Sequence, residues 1–208
     1  GSNNWAVSGK LTAHGGAILA NDMHLSLGIP NIWYRARISW NDDDSERSLA
    51  GVTLPGTPTL ITGSNGDIAW GFTNSYVDAA DLVRLKVNRS DSTLYFTPDG
   101  WEKFEAIEEV IEVAGRVADT LLIRQTRWGP VRLEDAADNP MALRWTAHDT
   151  AAVNLNLLEL ETASNVDQAV TAASGSGIPP QNFICADRNG DIAWTIAGRL
   201  PRRFGWDG

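Results

Sequence analysis

A six-residue stretch, Asn65-Gly66-Asp67-Ile68-Ala69-Trp70, returns as Asn189-Gly190-Asp191-Ile192-Ala193-Trp194. Asn-Gly between apolar runs signals a tight hairpin, because a type I′ turn needs positive φ at both central residues. Two such tips predict an antiparallel, strand-rich chain. Two copies do not make a solenoid; one good turn solution used twice explains them. Other short apolar runs agree, with strands expected at residues 4–7, 17–20, 32–40, 82–87, 94–97, 109–113 and 120–125. One helix is predicted over residues 165–173, capped by Ser164, with Asp167 at its N3 position and an end near Gly175. Pro179-Pro180 then imposes extended backbone leading to a strand at Phe183. No Pro/Ser-rich linker divides the 208 residues, so the chain reads as one continuous α+β unit.

Charge excludes several partners. The net charge is −9, and Arg199, Arg202 and Arg203 make the one small basic cluster. Nucleic-acid affinity rests on clustered Lys and Arg against phosphates, so no nucleic-acid partner is expected. An acidic surface is also poorly matched to anionic lipid, and no apolar run is long enough to span a bilayer as a helix. Nine tryptophans are many for this length and are expected mainly in the core. Cys185 is the single cysteine and lies in an apolar run, which predicts a buried, unreactive thiol. The acidic run at residues 41–46 reads as a solvated turn and a weak metal-site candidate. His14 and His148 have no motif around them and read as structural.

The opening Ser2-Asn3-Asn4-Trp5-Ala6-Val7-Ser8-Gly9-Lys10 resembles the start of the β-subunit of the penicillin acylase (penicillin amidase) family. An ordered series continues the resemblance: Leu19-Ala20-Asn21-Asp22-Met23-His24-Leu25, Gly51 through Pro58, Asn65 through Thr73, and Asp78-Ala79-Ala80-Asp81-Leu82. Pro180-Gln181-Asn182-Phe183, Ala186 through Ile192 and Gly198-Arg199-Leu200-Pro201 complete it. No single motif is decisive, but the series covers nearly the whole chain. A His at position 24 is similar to the cephalosporin and acyl-homoserine-lactone acylase branch. The implied fold is part of the four-layer αββα sandwich of N-terminal-nucleophile hydrolases, here as a strand-rich fragment.

The resemblance implies an amidohydrolase working through an acyl-ester on Ser2. A serine hydroxyl needs a nearby base, and a free α-amine titrates near roughly 8, so a freed Ser2 carries nucleophile and base together. Gly1 is then either the residue before an uncut autoproteolytic bond or a tag remnant, and the chain with Gly1 attached is expected to be inactive. By the same resemblance His24 orients the nucleophile, the Asn74 backbone N–H is an oxyanion donor, and Leu25, Thr62 and Phe72 line the acyl pocket. Each oxyanion donor is worth roughly 3–4 kcal/mol. The family's second donor, an Asn in a motif resembling Ala-Asn-Asn, is not found in this sequence. Asp78, Ala80 and Asp81 match a calcium site that would need further oxygens from elsewhere. The implied partners are an α-subunit and the remainder of the β-subunit, with a small amide as substrate and a periplasmic or secreted location. Two other readings stand beside this one. The chain could be a catalytically incomplete or non-catalytic homologue, or a secreted Trp-rich β-domain binding carbohydrate, which clustered exposed tryptophans would favour.

Overall fold

The computed structural model describes residues 1–42 and 45–205. In chain order the strands are β1 (Ser2–Val7), β2 (Ile18–Met23), β3 (Tyr34–Asp42), β4 (Ser45–Thr53), β5 (Thr62–Ser64), β6 (Ile68–Asn74), β7 (Ala80–Arg84), β8 (Leu94–Thr97), β9 (Gly100–Lys103) and β10 (Glu105–Ile111). They continue as β11 (Asp119–Thr126), β12 (Gly129–Glu134) and β13 (Pro140–Trp145), followed by helix α1 (Val166–Gly175), then β14 (Gln181–Asp187) and β15 (Ile192–Ala197). The chain forms two compact units. One joins Gly1–Val77 to Thr150–Gly208, and the other is Asp78–Asp149. Part of the acidic run at residues 41–46, Asp43 and Asp44, lies outside the described residues.

The first unit is built on a six-stranded sheet in the order β15-β14-β6-β5-β4-β3, antiparallel throughout. Strand alternation puts Ile68, Trp70 and Phe72 on one face with Phe183 and Cys185 of the paired strand. That face forms the core with Leu157, Leu160 and the alanines of α1. Ala169, Ala172 and Ala173 are spaced i, i+3, i+4 and are fully buried, so small side chains bring the helix close to the sheet. The helix is capped by Asn165, not by Ser164: Asn165 Oδ1 accepts from Gln168 N–H, and Gln168 Oε1 returns a bond to Ser164 N–H. Asp167 therefore sits one position earlier than expected, still in the first turn. The carboxylate of Asp187, buried at the end of β14, accepts the Val166 N–H at 3.2 Å and the Asn189 and Asp191 N–H groups. One acceptor thus serves the helix start and the second hairpin tip.

Neither repeated tip is a type I′ turn. Gly66 and Gly190 have φ of 90° and 92°, whereas Asn65 and Asn189 are absent from the positive-φ positions. At the second tip Gly190 N–H closes on Asp187 C=O and Asp187 N–H bonds Asp191 C=O, a turn followed by a left-handed glycine. The asparagine at the first tip does a different job. Asn65 Oδ1 accepts from Asp67 and Ile68 N–H, and Nδ2 donates to the Leu160 and Ala163 carbonyls at 3.0 and 2.8 Å. It anchors the end of the 3-10 helix Asn156–Glu161 ahead of α1, which the turn motif alone does not reveal.

The tryptophans also depart from expectation. Trp70 is fully buried, but Trp5, Trp101, Trp145 and Trp194 are each at least 44% exposed. No ring contact among the described residues joins two tryptophans. Cys185 matches expectation: it is buried, and desolvation pushes its thiol up to about 12.

The second unit has a five-stranded antiparallel sheet, β10-β11-β12-β13-β7, and the hairpin β8-β9. Leu85, Tyr95, Phe104 and Ala142 form its own core, with Trp128 against Tyr95. Tyr95 O–H donates to Glu102 and accepts Arg127 N–H, so the buried phenol is fully used; its pKa is raised, chiefly by burial.

The hairpin β1-β2 crosses the opposite face of the first unit's sheet, and Asn21 fastens it there. Asn21 Nδ2 donates to Asn3 C=O at 3.1 Å and Phe72 C=O at 3.0 Å, while Oδ1 accepts Phe72 N–H at 3.3 Å. Gly71 permits this approach, since a Cβ there would lie 2.8 Å from Asn21 Cβ. Gly71→Ala should therefore cost about 2 kcal/mol, the usual range for overpacking, measured by denaturant unfolding. Cys185 should resist alkylation at neutral pH in the native protein and react on unfolding, read by site-specific mass spectrometry. Its raised pKa also sets a sign. The folded state holds the proton more tightly, so this contribution is intact below the ordinary value of 9.0 and is lost as pH rises towards about 12.

Candidate active site

Ser2 opens β1 and lies opposite Met23. The pair before it, Gly1 and His24, exchanges two main-chain bonds: His24 N–H donates to Gly1 C=O at 2.7 Å, and the Gly1 nitrogen donates to His24 C=O at 3.3 Å. By strand alternation Ser2 and Met23 share one face, and Asn3, Asp22 and His24 share the other. The His24 ring follows that pattern. Its Nε2 is 2.7 Å from Asp22 Oδ2 and 3.4 Å from Asn3 Nδ2. It is thus the backbone of His24, not the ring, that engages the residue joined to Ser2. In this sequence the Ser2 nitrogen is an amide bonded to Gly1.

Ser2 and Asn74 line the same cavity, of about 440 Å³. Its wall is mainly apolar, with Met23, Leu25, Trp33, Leu54, Ile61 and Phe72 contributing. The size and the apolar lining suit a small organic ligand. Of the expected pocket residues Leu25 and Phe72 are present, but Thr62 does not line the cavity. Its hydroxyl instead donates to the Trp70 carbonyl at 2.6 Å, closing the sheet where β5 is short, and the neighbouring Ile61 faces the cavity. Met23 enters the cavity as the cross-strand partner of Ser2, a register the structure supplies. Trp33, Leu54 and Ile61 come from loops and strand ends, whose convergence no local pattern encodes.

Asn74 ends β6, beyond the reach of β5, which pairs only with Trp70 and Ala69. Phe72 gives its N–H to Asn21 and accepts from it at its C=O, so the alternation of an antiparallel ladder assigns the bonds towards β14 to Thr73 and its partner Asn182. Thr73 C=O then points to β14, and the Asn74 N–H of the same trans peptide points the other way. Among the described residues no strand pairs with Asn74 on that side. A serine hydroxyl and the last residue of β6, whose N–H the alternation turns away from β14, thus line one apolar cavity, and acyl transfer needs a hydroxyl and a main-chain donor at one place.

Asp78, Ala80 and Asp81 belong to the second unit and are exposed. They supply two carboxylates and a carbonyl, donors of the right chemistry but only three of the six to eight oxygens calcium takes. Among the described residues no group of three or more His, Cys, Asp and Glu side chains converges on a metal position.

The chain is similar to known proteins in sequence and in fold. The chain is 28% identical to the acyl-homoserine lactone acylase QuiP of Pseudomonas aeruginosa, over 100% of its own length and 27% of that protein. It is 30% identical to the penicillin acylase 2 proenzyme of Pseudomonas sp. strain SE83, over 99% of this chain and 27% of the relative. It therefore spans little more than a quarter of these relatives. A thermostable penicillin G acylase from Alcaligenes faecalis superposes with a TM-score of 0.84 at 24% identity, covering 99% of this chain and 36% of that one. The fold is accordingly the strand-rich α+β fold of that part of the penicillin G acylase. The sequence profile of the family described as penicillin amidase matches residues 1–208, and the chain belongs to that family.

Proposed function

We propose that this chain carries the nucleophile of an acylase that hydrolyses a linear carboxamide through an acyl-ester on Ser2. The observation that carries this reading is the shared apolar cavity of Ser2 and Asn74. The acyl group of the substrate fills the cavity, Ser2 Oγ attacks its carbonyl carbon, and the Asn74 N–H stabilises the oxyanion. The amine leaves with a proton, and water then hydrolyses the ester to a carboxylic acid. The base is the Ser2 α-amine, which exists only after the bond to Gly1 is cut.

Maturation uses the same hydroxyl. Ser2 Oγ attacks the Gly1 carbonyl, the C–N bond breaks as nitrogen takes a proton, and water cleaves the resulting ester to release Gly1 as a carboxylate. The 2.7 Å bond from His24 N–H to the Gly1 carbonyl supports this step, because it aims a donor at the oxygen that becomes negative. We assign the second oxyanion donor to a part of the protein outside this sequence. An α-subunit and the rest of the β-subunit from one precursor complete the enzyme. Asp78, Ala80 and Asp81 would contribute oxygens to a structural calcium, which plays no part in the chemistry.

Two outcomes test the reading. The full-length wild-type precursor should split, with Ser2 as a new N-terminus, while Ser2→Ala stays whole; intact mass and N-terminal sequencing decide. If both stay whole, the mechanism fails. Since the donor to Gly1 is main chain, His24→Gln should still mature, within about tenfold of the wild-type rate, whereas His24→Pro, which lacks the N–H, should not. Maturation of His24→Pro at the wild-type rate would remove that donor from the mechanism.

A further inference from the structure

The end of β6 is held by side chains rather than by strands. In a regular strand the N–H and C=O of one residue point the same way, so the Asn74 carbonyl would accompany its N–H away from β14. Instead it accepts Asn182 Nδ2 at 3.1 Å, and the same amide nitrogen is 3.2 Å from Thr73 Oγ1. Asn182 belongs to β14, so the carbonyl is drawn back to that strand. Next along the chain, Ser75 Oγ donates to the Pro180 carbonyl at 2.9 Å, and Tyr76 is in the left-handed region with φ of 52°. That conformation is unfavourable for a tyrosine.

The Asn182 amide is itself oriented. Trp194 Nε1–H donates to Asn182 Oδ1 at 3.2 Å. This bond fixes which end of the amide is oxygen and leaves Nδ2 facing Thr73 and Asn74. Trp194 is 61% exposed, so its ring contributes little burial. Its indole N–H has a defined partner all the same.

We propose that Asn182, oriented by Trp194, is a positioning residue for the Asn74 oxyanion donor. It holds the Asn74 carbonyl away from the oxygen that becomes negative, so that only the N–H of that residue faces it. A carbonyl left beside the donor would present its negative end to the oxyanion and offset the stabilisation. The inference rests on the proposed role of Asn74 and adds two residues that touch neither nucleophile nor scissile bond.

The test uses the full-length protein, with hexanoyl para-nitroanilide as substrate probe. The variants are Asn182→Ala, Trp194→Phe and the double variant, with Ser2→Ala alongside. Trp194→Phe keeps a ring at an exposed position and removes only the donor. Each single variant should lower kcat about tenfold with KM unchanged, as expected when an interaction made in the transition state is weakened. The double variant should be no worse than Asn182→Ala, because Trp194 acts through Asn182. Affinity for pentylboronic acid, which forms a tetrahedral adduct, should fall by the same factor, while affinity for hexanoic acid stays at the wild-type value. Unchanged kcat in both single variants, equal losses for boronate and carboxylate, or additive effects in the double variant would each overturn the positioning role. When Ser2→Ala abolishes hydrolysis and these variants do not lower kcat, the failure lies with the positioning role alone. Hydrolysis surviving in Ser2→Ala at the wild-type rate sinks the nucleophile reading, and this inference with it.

Discussion

Everything at the candidate site depends on one primary amide. Asn21 replaces the strand that β5 does not provide opposite Phe72, accepting its N–H and donating to its C=O, and it also holds the carbonyl of Asn3. Ser2 precedes Asn3, and Asn74 follows Phe72 by two residues. The spacing between the proposed nucleophile and the proposed donor is therefore set through a single side chain. An amide can do this because it offers a donor and an acceptor in the geometry of a peptide. An aliphatic residue of the same size would leave the Phe72 main-chain groups unpaired, which buried backbone tolerates poorly.

The same device recurs through the first unit. Asn65 ties a hairpin tip to carbonyls ahead of α1, Asp187 collects the N–H groups of the other tip and of the helix start, and Asn154 Nδ2 donates to Gly175 C=O. Short polar side chains supply the bonds where strands stop and loops begin. This suits a site that must present main-chain N–H groups to a ligand, since an unbroken sheet would have consumed them. The second unit is organised differently, around a buried tyrosine whose hydroxyl joins the β8-β9 hairpin to the turn after β11.

Much of the strand inventory was readable in the sequence. Residues 94–97 form a strand with the expected limits, and the runs near 4–7, 109–113 and 120–125 are strands whose ends shift by a few residues. Ends shift because the ladder partner, not the strand's own sequence, decides where pairing stops. The helix was placed correctly but its cap was not: Ser164 and Asn165 are both good caps, and the Gln168 side chain, by bonding Ser164 N–H, selects Asn165. The tryptophans misled for a physical reason. Composition counts apolar area but says nothing of which sheet face is covered, and Trp194 lies on the face opposite the helix, away from Trp70. Thr62 likewise matched a pocket motif, yet its hydroxyl is used by the sheet.

The sequence by itself determined the antiparallel, turn-punctuated character of the chain, the burial of Cys185 and the family, because these follow from local patterning and from the order of short motifs. The tertiary structure alone decided which groups meet. It placed the His24 ring on the face away from Ser2, brought Asn74 to the cavity of Ser2, and turned the Asn74 carbonyl towards Asn182. Those outcomes depend on strand register and on where a neighbouring strand ends, and both arise from contacts between segments far apart in the chain.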